Sequence, residues 1–110
     1  MDGSDAELDR LWTDFYALVN MSRHELRAFL VAEPDGAVPE FARRLLHTMD
    51  VARPDLTAEN VETMERAVGE IRRLLADRPD GDDPAWRDAL MRVGHDPSKP
   101  AAPGADGARP

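Results

Sequence analysis

The stretch Thr57–Asp77, TAENVETMERAVGEIRRLLAD, constrains the fold more than any other part of the chain. Val61, Met64, Val68, Ile71 and Leu75 recur at helical spacing, and Ala67 and Leu74 widen the stripe. That spacing puts them on one face of an amphipathic helix. Thr57 is placed to cap its start, with Leu56 and Val61 flanking the cap as a hydrophobic staple. The opposite face carries Glu62, Arg66, Glu70, Arg73 and Asp77. The pairs Glu62–Arg66, Arg66–Glu70 and Arg73–Asp77 are opposite in sign at i, i+4, each worth only ~0.2–0.5 kcal/mol, and together they mark a solvated face. Gly69 falls away from the apolar stripe, at a cost of ~1 kcal/mol relative to alanine. A helix this long with one apolar face has to bury that face against other elements.

Those elements are also helices. Ser4 and Glu7 have capping-box spacing at the start of a first helix over residues 4–19. Its apolar face is Leu8, Leu11, Trp12, Phe15, Leu18 and Val19, with Tyr16 at the edge. A second box, Ser22 and Glu25, restarts the chain, and Met21 and Leu26 add a staple. Leu26, Phe29 and Leu30 are the buried side of this second helix. EPDGAVP, residues 33–39, is a loop, and Pro39 suits the first turn of a third helix over about 40–51. Phe41, Leu45, Leu46 and Met49 face inward there, and Pro54 ends the segment. After a turn-rich loop, Asp83 caps a short last helix with Pro84 in its first turn. Trp86, Ala89, Leu90 and Val93 are its inner positions, and Gly94 is placed to end it in a left-handed conformation.

Strict alternation of apolar and polar residues is never sustained, so no strand is expected. With 110 residues, 42% of them hydrophobic, the chain has one domain's worth of core. The expectation is an all-α fold, a single compact domain of five helices over residues 1–98. Residues 99–110, rich in proline, glycine and alanine, are expected to form a disordered tail.

The residue inventory bears on function mainly by exclusion. There is no cysteine, hence no disulfide, thiolate metal site or cysteine nucleophile. The opening MDGSDAELDR lacks a basic region followed by an apolar run, and no apolar run approaches the ~18 residues a bilayer span needs. A soluble cytoplasmic protein is expected. Ser4 and Ser22 serve as helix caps and Ser98 lies near the tail, which leaves no serine for a catalytic triad. No phosphate-cradling glycine motif occurs. His47 and Asp50, at i, i+3, are too sparse a set for a metal. Neither metal nor cofactor is expected, and the chain is not expected to be an enzyme.

Net charge is −8, from 22 acids against 14 bases, which disfavours nucleic acid as a partner. The counter-argument is local. Arg43, Arg44, Arg53, Arg72, Arg73 and Arg78 would share a face if the third helix packed beside the end of the fourth.

Several stretches resemble one family. Trp86-Arg87, Leu90-Met91 and Gly94-His95-Asp96-Pro97 are similar to the closing WR..LM..GHDP signature of the domain of unknown function numbered 3140. Val19-Asn20-Met21-Ser22 with Glu25-Leu26 resembles that family's VNMs..EL start. Asp55-Leu56-Thr57, Met64, Val68, Ile71, Arg73 and Arg78-Pro79 resemble its DLT…M…V..I.R…RP run. The resemblance spans about Leu11 to Lys99 and is poor over about 33–50. Val93 stands where the family usually has a tryptophan, and Leu74 where it often has a histidine. The resemblance implies a helical fold, and members are often labelled DNA-binding.

The leading expectation is a non-catalytic protein-binding or regulatory module, acting on a protein partner or by self-association. The alternative is a nucleic-acid-associated protein using an arginine patch. Candidate binding residues are Arg72, Arg73, Arg78, Trp86, Arg87, His95 and Asp96. The last four are expected to lock the final helix onto the bundle rather than to line an open cleft.

Overall fold

A computed structural model describes residues 2–32 and 38–99, with residues 2–5 as backbone. Among the described residues there are five α-helices and no strand: α1 Asp2–Leu18, α2 Arg23–Val31, α3 Glu40–Thr48, α4 Ala58–Ala76 and α5 Pro84–Met91. A single 3-10 turn, Arg53–Asp55, joins α3 to α4.

α4 is the central element. It packs against α1, α3 and α5, and α2 packs on α3. Each helix delivers large side chains to one core. Phe15 of α1, Leu26 and Leu30 of α2, Leu45 of α3, Met64 and Ile71 of α4 and Leu90 of α5 are all essentially inaccessible. Burying each contributes about 1.5–3 kcal/mol relative to leaving it exposed.

Three of the helix starts, those of α2, α4 and α5, form as their caps dictate. The Ser22 hydroxyl accepts from the Glu25 amide at 3.0 Å, and the Glu25 carboxylate accepts from the Ser22 amide at 2.8 Å. At α4 the Thr57 hydroxyl accepts from the Asn60 amide at 3.1 Å, and Asn60 Oδ1 accepts from the Thr57 amide at 2.9 Å. At α5 Asp83 accepts from the amides of Ala85 and Trp86. Gly94, with φ +90°, closes the far side. A Cβ there would stand 3.0 Å from Val19 Cγ1, so both backbone sign and space require glycine.

Four features depart from the expectation. The backbone of α1 is already helical at Asp2, so Ser4 lies inside the helix and not at its cap. α3 stops at Thr48 rather than near Val51, because the Asp50 and Val51 amides turn back to the His47 and Thr48 carbonyls in tightened turns. The buried face of α4 is rotated toward Asn60 and Thr63, and Val61 and Leu75 are only half-buried. Asn60 is drawn inward because its side chain closes the cap and donates to Thr48 Oγ1 at 3.3 Å. The outer ladder of α4 is also redirected. Arg66 lies over the Phe41 ring at 4.2 Å, and Arg73 pairs back to Glu70. Aromatic faces and neighbours at i−3 compete successfully with weak i, i+4 pairs.

Lys99, expected to begin the tail, is half-buried and tied in: Nζ donates to the Asn20 carbonyl at 3.0 Å and to Glu25 at 2.5 Å. The rest of the expected tail and residues 33–37 of the expected 33–39 loop lie outside the described residues. No helix among the described residues is long and apolar enough to cross a membrane.

Candidate functional site

The residues singled out from sequence separate into two structural groups. At the C-terminal end of α4, Arg72 reaches Asp14 of α1 at 2.9 Å and Arg73 pairs with Glu70. Arg78 lies over the Trp86 ring at 5.0 Å, and the Trp86 indole N–H donates to the Leu74 carbonyl at 2.7 Å. Arg87 pairs with Asp82 in the preceding loop. The second group clasps the α1–α2 junction. His95 Nδ1 bonds the Leu18 carbonyl at 2.7 Å, and the Asp96 amide donates to Asn20 Oδ1 at 2.7 Å. Arg72, Arg73, Arg78 and Arg87 thus already have internal partners, and Trp86, His95 and Asp96 serve the packing of the last segment.

The electrostatics of this clasp follow from its bonds. The Lys99 ammonium and the Ser22 amide hold the Glu25 carboxyl below its ordinary range. Burial pushes Asp96 up, but the Ser98 hydroxyl and amide outweigh it and the net displacement is downward. Arg73 likewise holds Glu70 down.

The arginines proposed to share a face do not gather. α3 meets the N-terminal half of α4, where Thr48 bonds Asn60 and Phe41 lies beneath Arg66. Arg44 pairs with Glu40 at 3.1 Å and Arg53 with Asp9.

A different basic surface assembles between α2 and α3. Arg23 and Arg27 of α2 and Arg43 and His47 of α3 line a groove of about 790 Å³. Val31, Val38 and Leu46 form its apolar floor, and Val31 is 54% exposed. Arg23 is engaged, with Nε on the Leu46 carbonyl at 3.2 Å and on Asp50 at 3.4 Å. Arg27 and Arg43 have no hydrogen-bonding or ionic partner among the described residues. The sequence carried a signal for this surface. Each basic pair stands at i, i+4, hence on one side of its helix. Uniting the two pairs required knowing how α2 and α3 pack.

Arg43 and His47 also border a second cavity, of about 280 Å³, between α3 and α4. Thr48, Asn60 and Thr63, the buried polar residues among those described, all line it. No three potential metal-ligating side chains come together among the described residues.

The fold defines a small all-helical domain organised on one long central helix. The family model "Protein of unknown function (DUF3140)" matches residues 14–91, more than half of the chain. The chain belongs to this family. The matched range includes the middle segment, where the resemblance of individual residues is poor, and ends before the Gly94–Pro97 clasp. No curated protein and no solved structure matches the chain.

Proposed function

We propose that the protein is a non-catalytic binding or regulatory module of the cytoplasm that docks an acidic segment of a protein partner in the α2–α3 groove. The observation that carries this reading is the pairing of two guanidinium groups without a partner among the described residues, Arg27 and Arg43, with an apolar floor containing the exposed Val31. Surface arginines elsewhere in this acidic chain are mostly paired internally. Here two are left over, beside aliphatic surface that water covers poorly. A carboxylate-bearing segment with a leucine, isoleucine or valine would satisfy both features. A nucleic acid would satisfy only the charges, and its dense phosphates would meet the repulsion of a chain with net charge −8.

The test is selection of displayed peptides on the full chain, with counter-selection on an Arg27→Ala/Arg43→Ala double variant. Support would be enrichment of Asp and Glu around one aliphatic residue, with affinity lowered about tenfold or more by the double variant. Peptides indifferent to the two arginines would overturn the reading. A light-scattering mass that rises with concentration, and no longer does so in the double variant, would put a second copy in the groove instead. Retention of DNA that weakens steeply between about 50 and 200 mM salt would replace the protein partner with a nucleic acid.

A further inference from the structure

We infer that the α3–α4 cavity is a binding site for a small zwitterion of the amino-acid type. The inference goes beyond the docking groove. The cavity shares Arg43 and His47 with that groove, but Thr48, Glu59, Asn60 and Thr63 line the cavity alone. The cavity is about 280 Å³, just below the ~300–1,000 Å³ of drug-sized ligand sites and so suited only to a small ligand. Its floor holds Thr48, Asn60 and Thr63, which are 2%, 6% and 4% exposed. A polar floor in an otherwise apolar core is costly unless its hydrogen-bonding groups are used.

These groups are only partly used. Asn60 Oδ1 accepts from the Thr57 amide and hydroxyl, both at 2.9 Å, and Asn60 Nδ2 donates to Thr48 Oγ1 at 3.3 Å. One hydrogen of Asn60 Nδ2 and the hydroxyl hydrogen of Thr48 have no acceptor among the described residues. Thr63 spends its hydroxyl hydrogen on the Glu59 carbonyl. The cavity therefore offers two donors from below.

Its rim offers one charge of each sign that is unpaired among the described residues. Glu40 and Arg44 neutralise each other at 3.1 Å. Arg43 and the Glu59 carboxylate line the same cavity, yet neither has an ionic partner among the described residues. Opposite charges that face one cavity without meeting suit a ligand carrying both signs. A carboxylate would take Arg43 and the floor donors, and an ammonium would take Glu59. Such a ligand has no net charge, so the −8 of the chain does not repel it. A simple anion would be opposed by Glu59, and a simple cation by Arg43 with His47 one turn along α3.

Amide chemical shifts of the full chain, titrated with each standard amino acid and with acetate and methylammonium as half-ligands, provide the test. Saturable shifts of the Thr48, Asn60 and Thr63 amides are expected for at least one amino acid at about millimolar concentration. Each half-ligand should bind about tenfold or more weakly. Arg43→Ala should abolish binding of both the amino acid and acetate. Glu59→Gln should weaken the amino acid while leaving acetate equal or tighter. No saturable shift for any amino acid up to about 10 mM would overturn the inference. A Glu59→Gln variant that binds the amino acid more tightly would also overturn it, leaving an anion site. Arg27→Ala lies in the docking groove and does not line this cavity. It should leave amino-acid binding unchanged, so the groove and the cavity can fail separately.

Discussion

Asn20 and Asp96 hold each other through a reciprocal pair. Asn20 Nδ2 donates to the Asp96 carbonyl at 3.1 Å, and the Asp96 amide donates to Asn20 Oδ1 at 2.7 Å. One side chain thereby satisfies both backbone groups of a residue 76 positions away. The Met21 amide donates to the Gly94 carbonyl at 3.2 Å beside it, and His95 Nδ1 bonds the Leu18 carbonyl. Because a carbonyl only accepts, His95 must carry its proton on Nδ1. Residues 94–96, just after α5, are fastened to the α1–α2 junction by this set.

Asn20→Ala removes both bonds and leaves two backbone groups without partners in a half-buried position. The expected loss is about 1–3 kcal/mol, read from urea unfolding. Asn20→Asp keeps an acceptor for the Asp96 amide but sets a carboxylate oxygen against the Asp96 carbonyl, so a loss is expected here too. An unchanged urea midpoint in Asn20→Ala would show that the clasp adds nothing to stability.

The parts of this fold that were legible in the sequence are those decided locally. Ser22 with Glu25, Thr57 and Asp83 mark helix starts because cap chemistry operates within three residues. The apolar spacing of α4 identifies the central helix because burial selects a period. The features that escaped depend on neighbours distant in sequence. Asn60 reads as a polar residue near a helix start, and nothing nearby says that Thr48 will meet it. Arg72 reads as a free arginine until α1 brings Asp14 to it. The same limit applies to binding surfaces. Arg27 looks like an ordinary solvated residue and Arg43 like part of a different arginine face, and only the packing of α2 on α3 puts them on one groove.

Gly69 and Gly94 should respond in opposite directions to alanine. Gly69 is exposed in the middle of α4, and a Cβ there meets nothing within 4 Å. Gly69→Ala should raise stability by up to ~1 kcal/mol through helix propensity and a less flexible unfolded chain. Gly94 has φ +90° and a Cβ site 3.0 Å from Val19 Cγ1. Gly94→Ala should lower stability by about 1–2 kcal/mol from the left-handed backbone, with the contact adding to it. Thermal unfolding of the two variants side by side checks both signs. A loss in Gly69→Ala would point instead to a close contact on that face of α4.

Acid should loosen the molecule in a defined window. Glu25, Glu70 and Asp96 all have lowered pKa values in the fold, Glu25 chiefly through the Lys99 ammonium and Glu70 chiefly through Arg73. For Asp96 burial acts upward and the Ser98 bonds outweigh it. A carboxyl group with a lowered folded pKa contributes stability that is complete above its unfolded value, about 4. That contribution is lost as pH falls through the folded value. The unfolding temperature should therefore hold steady from neutrality to about pH 5 and decline below about pH 4. Glu25→Gln should make the decline shallower. Added salt should shrink the difference between this variant and the parent, because Glu25 is exposed and its pairing is screened. Identical acid slopes at low salt would remove Glu25 from the account.

Trp86 closes the end of α4. Its indole N–H donates to the Leu74 carbonyl, which lies in the final turn of a helix ending at Ala76. Carbonyls in that turn lack the usual partner four residues on, so the indole supplies a bond the helix cannot make for itself. The Asp77 amide shares the same carbonyl at 3.2 Å. Trp86→Phe keeps an aromatic ring for Arg78 and loses the donor, and should lower stability by about 1–2 kcal/mol. Arg78→Ala removes only an exposed cation–π contact, worth ~0.5–1 kcal/mol. The double variant should lose less than the sum, because phenylalanine already weakens what Arg78 sits on. Strict additivity would mean that the arginine and the ring act independently. Trp86 and Arg78 lie outside the residues lining the α2–α3 groove and the α3–α4 cavity. Trp86→Phe should therefore leave affinity for selected acidic peptides and for amino acids unchanged, provided the variant is folded at the temperature of measurement. A loss of either affinity by the folded variant would restore Trp86 to the binding surface and refute its assignment as a helix cap.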